Sequence, residues 1–222
     1  MILVPVKSLS AAKQRLATAL DQPARTALAQ AMLLDVLTTL HGCKHRPPVA
    51  IVSSDPYAAE LASEYEFEII PDQLNPGETG AIEMATQICV ERGVESTLVI
   101  PADIPLMQAW ELHEILKQSP TEGSVLVPAA DGRGTNAAFR RPANLFPLRF
   151  GNDSFKPHHA AAQSTGRLCV VLKLPGIAVD VDSPADLQQL ISLPGETHSQ
   201  QLARQFACGG ADASSAPAAK RR

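Results

Sequence analysis

The sequence is poor in the features that mark several protein classes. Its four cysteines, Cys43, Cys89, Cys169 and Cys208, are scattered and form no Cys-x-x-Cys pair, which argues against a disulfide framework and for a reducing compartment. Basic charge is not in surplus: 19 Lys and Arg face 23 Asp and Glu, for a net charge of -4, so a dedicated nucleic-acid surface is excluded. Trp110, Tyr57 and Tyr65 are too few and too dispersed to build a base-stacking platform. No apolar run approaches the ~20 residues of a membrane span. The opening residues Met1 to Lys7 lack the charged-then-apolar order of a signal peptide. The expectation is a soluble, cytoplasmic protein with neither nucleic acid nor membrane among its partners.

What is present is a globular body. Hydrophobic residues make up 45% and charged residues 19% of the 222, ample for one α/β domain with a sizeable core. Short apolar runs at 2–6, 49–53, 66–70, 97–100, 124–128, 136–139, 168–172 and 177–179 read as strands. They alternate with helical patterns at 23–40, 56–64, 80–92, 109–118, 155–163 and 184–193. Pro23 and Pro184 suit a first helical turn, and Asp55 and Ser183 suit N-caps. Such alternation implies crossover connections and a mostly parallel sheet covered on both faces. From residue 194 onward the sequence turns small, polar and aperiodic. The expected layout is therefore a catalytic domain over 1–193 and a disordered tail over 194–222.

Ligands of open α/β sheets sit beyond the carboxyl ends of the strands, so those positions carry the chemistry. After the first run come Lys7, Ser8, Lys13 and Arg15, three cations within nine residues, suited to a polyphosphate. A solvated loop is the competing reading, and the P-loop pattern is absent. After the fourth run, Asp103 lies between apolar residues in Pro101-Ala102-Asp103-Ile104-Pro105. A carboxylate there is costly unless paired or bound to a cation, and Mg²⁺ takes one or two carboxylates plus substrate phosphates. The alternative is a helix cap, although the helix pattern starts later, near Gln108. After the last run, Asp180 and Asp182 stand two apart and point the same way in an extended segment. They repel unless a cation bridges them; an Asx turn and a solvated side chain are the other reading. With Asp103 they form the inventory of a phosphate-bridging metal site.

Two softer signals lie between. The turn around Arg133, Gly134, Thr135 and Asn136 is rich in donors, and the stretch Phe150-Gly151-Asn152-Asp153-Ser154-Phe155 leads into a helix, where free N–H groups hold anions. Two patterns are decoys. Gly132-Arg133-Gly134-Thr135-Asn136-Ala137 fits G-x-G-x-x-A but leads into a strand. His41-Gly42-Cys43-Lys44-His45 resembles a metal cluster but ends a helix.

Taken in order, Val4-Pro5-Val6-Lys7 with Ala12-Lys13-Gln14-Arg15-Leu16, Pro101-Ala102-Asp103-Ile104-Pro105-Leu106, Gly134-Thr135-Asn136-Ala137, Phe150-Gly151 with Ser154-Phe155 and His158-His159, and Asp180-Val181-Asp182-Ser183-Pro184-Ala185-Asp186-Leu187 resemble the 2-phospho-L-lactate or phosphoenolpyruvate guanylyltransferase family of coenzyme F-420 biosynthesis. The resemblance spans roughly residues 1 to 193. It implies a three-layer, Rossmann-like nucleotide-diphospho-sugar-transferase fold with a mostly parallel mixed sheet. It implies GTP and a three-carbon phospho-acid as substrates, pyrophosphate as product, one or two Mg²⁺ ions as cofactor, and a downstream deazaflavin transferase as partner. A homodimer is left open. By the same resemblance Asp103, Asp180 and Asp182 hold metal, Thr135, Gly151 and Ser154, beside Asn136, contact the acid, and Lys7, Ser8, Lys13 and Arg15 surround the triphosphate, Lys13 and Arg15 in a catalytic role beside Asp103. Two departures stand out: Thr79-Gly80 where Leu-Asn is usual, and Asn152-Asp153 where Pro-Gly is common. A nucleotidyltransferase of the same fold acting on a sugar phosphate or molybdopterin, and a non-catalytic nucleotide-binding domain, are the alternatives.

Overall fold

A computed structural model describes residues 1–72, 77–151 and 153–212, leaving aside the side chains of 209–212. The chain builds one seven-stranded sheet in the order β3-β2-β1-β4-β6-β5-β7. Its strands are β1 (Ile2–Pro5), β2 (Val49–Val52), β3 (Glu68–Ile70), β4 (Thr97–Val99), β5 (Gly123–Pro128), β6 (Thr135–Arg141) and β7 (Leu168–Val171). β1 pairs in parallel with both β2 and β4, β2 with β3, and β5 with β7. β6 runs against β4 and β5. The expected mixed, mostly parallel sheet is what forms.

The antiparallel β6 matters for function. Its first residues, Thr135 and Asn136, lie at the same edge of the sheet as the carboxyl ends of β1 and β4. A hairpin therefore delivers side chains to an edge that the parallel strands reach by their C-termini.

Among the described residues seven α-helices cover the two faces: α1 (Gln22–Gly42), α2 (Pro56–Glu64), α3 (Glu78–Glu91), α4 (Ala109–Gln118), α5 (Phe155–Ser164), α6 (Pro184–Ser192) and α7 (His198–Asp212). Strand alternation divides the core. Ile2 and Val4 of β1 join the cluster under α1, α4 and α6, while Leu3 joins the cluster under α3 and α5. Both faces are buried, as a near-continuous apolar strand requires. The caps follow the sequence signals: Asp55 accepts from Tyr57 N at 3.0 Å, and Ser183 accepts from Asp186 N at 3.4 Å. Among the described residues no helix is long and apolar enough to cross a membrane.

Two expectations are corrected. The eighth strand expected at 177–179 is a turn, with Ala178 N donating to Leu174 O at 2.9 Å and Val179 N to Gly176 O. Side chains consume the backbone groups a ladder would need: Glu111 Oε1 accepts from Gly176 N at 2.7 Å, and Ile177 O accepts from Asn136 Nδ2 at 3.0 Å. A Cβ at Gly176 would stand 2.3 Å from Leu106 O, so only glycine permits this approach. Buried apolar residues at 177 and 179 thus mimic a strand without pairing as one.

The second correction concerns 194–222. Residues His198–Asp212 form α7, which docks on α1 and α6. Asp35 of α1, 4% exposed at its side chain, accepts from His198 N at 2.8 Å and Ser199 N at 2.9 Å, capping α7 from another helix. Gln200 is fully buried and Nε2 donates to Leu193 O at 3.0 Å. Ala203 is buried in the apolar core and Phe206 packs against it, a helical stripe that the small, polar residues following it conceal in the sequence. Residues 213–222 of the expected tail lie outside the described residues.

Candidate active site

The loop after β1 leaves the sheet through two short 3-10 turns, Leu9–Ala11 and Gln14–Leu16. Leu9 and Leu16 are buried anchors, and Leu9 N donates to Asp55 Oδ2 at 2.8 Å. Between the turns Lys13 adopts a left-handed backbone, φ 55° and ψ 45°, a conformation that costs a non-glycine residue on the order of 1 kcal/mol. Its side chain, 9% exposed, lies between two carboxylates: Nζ donates to Asp103 Oδ2 and to Asp182 Oδ1, each at 2.7 Å.

Burial opposes the charge on Lys13, but Asp103 and Asp182 outweigh it and hold the ammonium above the ordinary lysine range. Burial likewise raises the Asp182 carboxyl, yet Lys13 and then Arg15 prevail and its pKa falls. Asp180 differs. Burial, with Asp103 and Asp182 nearby, pushes it up despite the Asn136 Nδ2 bond at 3.0 Å. Arg15 approaches Asp182 Oδ2 at 4.0 Å.

Two adjoining cavities meet here. The first, about 520 Å³, includes Arg15, Asp103, Thr135, Asn136, Gly151, Ser154, Asp180 and Asp182 in its wall. The second, about 470 Å³, runs along the β1 loop past Lys7, Ser8 and Lys13. Asp103, Asp182 and Glu78 belong to both. Every residue singled out from the sequence therefore lies on one or the other. Lys7 pairs with Asp72 Oδ2 at 2.6 Å.

In the wall of the first cavity, Ser154 and Thr135 are buried, and Thr135 Oγ1 lies 2.9 Å from His158 Nδ1. Gly151 has φ 130°, open only to glycine. Thr79, one of the two departing residues, accepts at Oγ1 from Phe150 N at 2.9 Å, so it tethers this loop to the first turn of α3. Leu74, Asn75 and Pro76, which precede it, lie outside the described residues, as does Asn152. The other departure, Asp153, is neutralised: it pairs with Arg133 at 2.5 and 3.1 Å.

The sequence reading missed Glu78 and gave Arg133 and Asp153 no shared role. Burial, then Asp103 and Asp182, raise the Glu78 pKa to about 7. Glu78 opens a helix and reads locally as a first-turn acid; only the fold brings it to the shared wall. His41 of the decoy cluster packs edge-on to Tyr65 at 5.2 Å.

Hard oxygen donors from Asp103, Asp180 and Asp182 face one cavity, a donor set that suits Mg²⁺. Among the described residues no three His, Cys, Asp or Glu side chains stand as a ready-made metal cluster. An ion here would complete its shell with substrate oxygens, as Mg²⁺ commonly does. Asp180 and the oxygens of Asp103 and Asp182 turned away from Lys13 are the groups that fit it.

A family described as "Guanylyl transferase CofC like" matches residues 1–220. A phosphoenolpyruvate guanylyltransferase of Roseiflexus castenholzii is 36% identical over 204 residues, covering 92% of this chain and 93% of that protein. A 3-phospho-D-glycerate guanylyltransferase of Colwellia psychrerythraea is 31% identical, covering 90% and 95%. A 2-phospho-L-lactate guanylyltransferase of Methanothermobacter thermautotrophicus is 31% identical, covering 92% and 89%. Among solved structures, a protein of Desulfovibrio desulfuricans G20 assigned as a nucleotide-diphospho-sugar transferase superposes with a TM-score of 0.74 at 18% identity, covering 93% and 94%. A cytidylyltransferase from Leptospira borgpetersenii gives 0.55 at 11%, covering 99% and 98%. These likenesses share the fold of the sheet described above.

Proposed function

Because the chain belongs to the CofC-like guanylyl transferase family, a family of nucleotidyltransferases, we propose that it transfers GMP from GTP to a three-carbon phospho-acid and releases pyrophosphate. The observation that carries this reading is the Lys13 ammonium fixed between Asp103 and Asp182 where the two cavities adjoin. Two reactants enter from opposite sides and meet at one charged junction. GTP occupies the cavity along the β1 loop, and the acid occupies the one walled by Thr135, Gly151 and Ser154.

A phosphate oxygen of the acid attacks the α-phosphorus. The new P–O bond forms as the bond to the β,γ-pyrophosphate breaks, and pyrophosphate leaves with the electron pair. The attacking phosphate is already ionised, so no general base is required; positioning and charge neutralisation dominate. Lys13 and Arg15 face the departing pyrophosphate. Asn136 orients Asp180 through its 3.0 Å bond. Asp103, Asp180 and Asp182 would hold Mg²⁺, which when bound supplies the positive charge two anionic reactants need. The excess of carboxylates over cations at the junction supports that requirement, since without added cations it repels both substrates. By the resemblance to the F-420 family, the product passes to a deazaflavin-transferring enzyme; the scattered, unpaired cysteines support a reducing compartment such as the cytoplasm.

The test is pyrophosphate release from the four nucleoside triphosphates with phosphoenolpyruvate, 2-phospho-L-lactate, 3-phosphoglycerate, a sugar phosphate or molybdopterin as acceptor, with and without Mg²⁺. GTP with one of these acids, dependent on Mg²⁺, is the expected outcome. Release only with a sugar phosphate or molybdopterin, or GTP binding with no release at all, overturns it.

A further inference from the structure

The wall of the acid cavity contains a proton arrangement that no single residue reveals. His158 of α5 is 1% exposed. Its Nε2 receives the backbone N–H of Arg149 at 2.7 Å. A backbone N–H can only donate, so Nε2 carries no hydrogen, and the neutral ring bears its proton on Nδ1. Nδ1–H therefore donates to Thr135 Oγ1 at 2.9 Å. Ser154 Oγ donates to the same oxygen at a longer 3.4 Å. A hydroxyl accepts at two lone pairs and donates one proton. Both lone pairs of Thr135 are addressed, and among the described residues its proton has no acceptor within the protein. Thr135 lines the 520 Å³ cavity.

We propose that His158 is a positioning residue: by occupying Thr135 Oγ1 from Nδ1, it commits the Thr135 hydroxyl to donate into the acid cavity and so selects an oxyanion there. The proposal rests on the reading of that cavity as the acceptor site. A hydroxyl free to rotate serves donors and acceptors alike, whereas a committed donor disfavours an acceptor molecule that presents an ammonium or amide N–H at this point. Phosphate and carboxylate oxygens both meet the demand. The arrangement requires a neutral ring, and the surroundings provide it: burial first, then the Arg140 guanidinium of β6, lower the His158 pKa to about 4. Arg140 is the charged group that acts on the ring; the edge-on Phe150 ring at 5.1 Å is apolar.

Two measurements decide it. Side-chain ¹⁵N resonances of the ligand-free full chain should show Nδ1 protonated and Nε2 bare at neutral pH; protonated Nε2 overturns the proposal. In steady-state kinetics, Thr135→Val should raise the KM for the acid about tenfold, the worth of a hydrogen bond to a charged group, and leave the KM for GTP unchanged. His158→Gln, which lacks a donor at the Nδ1 position, should match it. His158→Asn, which restores that donor, should recover most of the loss, which a purely structural role would not permit. The double variant should be no worse than Thr135→Val alone. Additive effects, equal damage by His158→Asn and His158→Gln, or a parallel rise in the KM for GTP overturn the proposal. The tautomer measurement needs no turnover, so an inactive wild type refutes the functional reading separately while the ring resonances still decide the proton arrangement.

Discussion

Replacing Asp103 by Asn separates the chemical role of this carboxylate from its structural one. The exchange keeps shape and removes charge. In the folded chain Asp103 Oδ2 lies 2.7 Å from Lys13 Nζ, and the Asp103 side chain is 29% exposed. Fully buried pairs cost about 3–5 kcal/mol to break, exposed ones about 0.2–1. Asp103 stands between these limits. Lys13 also keeps Asp182 at 2.7 Å, and an Asn carbonyl still accepts from the ammonium. A loss of about 1 kcal/mol follows, which lowers the Tm of a chain this size by roughly 2–4 °C. Turnover should fall far more. Losing one preorganised electrostatic group in a catalytic site costs about 10²–10³ in rate, and here the lost group is also a Mg²⁺ ligand. Pyrophosphate release at saturating GTP and acid, read beside a thermal melt, distinguishes the two effects. Turnover within about threefold of wild type would refute the assignment, because no electrostatic contribution of that order would then be at stake. A melting temperature lowered by more than about 10 °C would instead make Asp103 a structural residue.

Three further outcomes follow from the same geometry. Gly176→Ala forces a Cβ to 2.3 Å from Leu106 O and 2.4 Å from Glu111 Oε2, so a denaturant titration should show a loss of at least about 1–3 kcal/mol; an unchanged midpoint would contradict the packing of this turn. Asp35→Ala removes the cap that α7 receives from α1, at an expected cost of about 1–2 kcal/mol, and limited proteolysis should then cut C-terminal to residue 193 faster than in the wild type. Acid should weaken the fold through Asp182. Its folded-state pKa lies below the unfolded value, so its contribution is full above about pH 4 and is lost as pH falls through the folded pKa. Lys13 behaves oppositely: its raised pKa keeps its contribution intact until pH rises past the ordinary lysine value. Asp182→Asn should therefore flatten the acid limb of a stability profile, and an unaltered slope would rule out this linkage.

The sequence by itself determined the alternation of strands and helices, and with it the sheet. Short continuous apolar runs and the helical segments between them are local patterns, and Pro184 after Ser183 or Pro56 after Asp55 marks a helix start from neighbouring residues alone. The strand-end rule then located Lys13 and Asp103 before any coordinate, because chain direction alone sets which end of a parallel strand faces the ligand; Thr135 came from a donor-rich turn, and Asp182 from an apolar run that forms no strand. Tertiary structure decided the rest. That Lys13 bridges Asp103 and Asp182 depends on groups 90 and 169 residues away, and no local pattern encodes such a distance. Glu78 entered the site because α3 begins at the shared wall, not because of its neighbours. The segment at 177–179 carried a strand pattern and formed a turn, since Glu111 and Asn136 took its backbone groups. The helix at His198–Asp212 was missed for a related reason: its cap, Asp35, belongs to another helix, and the small, polar residues that follow it drew its stripe into the reading of a tail. The proton on His158 is the furthest from sequence, fixed by one backbone N–H that the fold brings to Nε2.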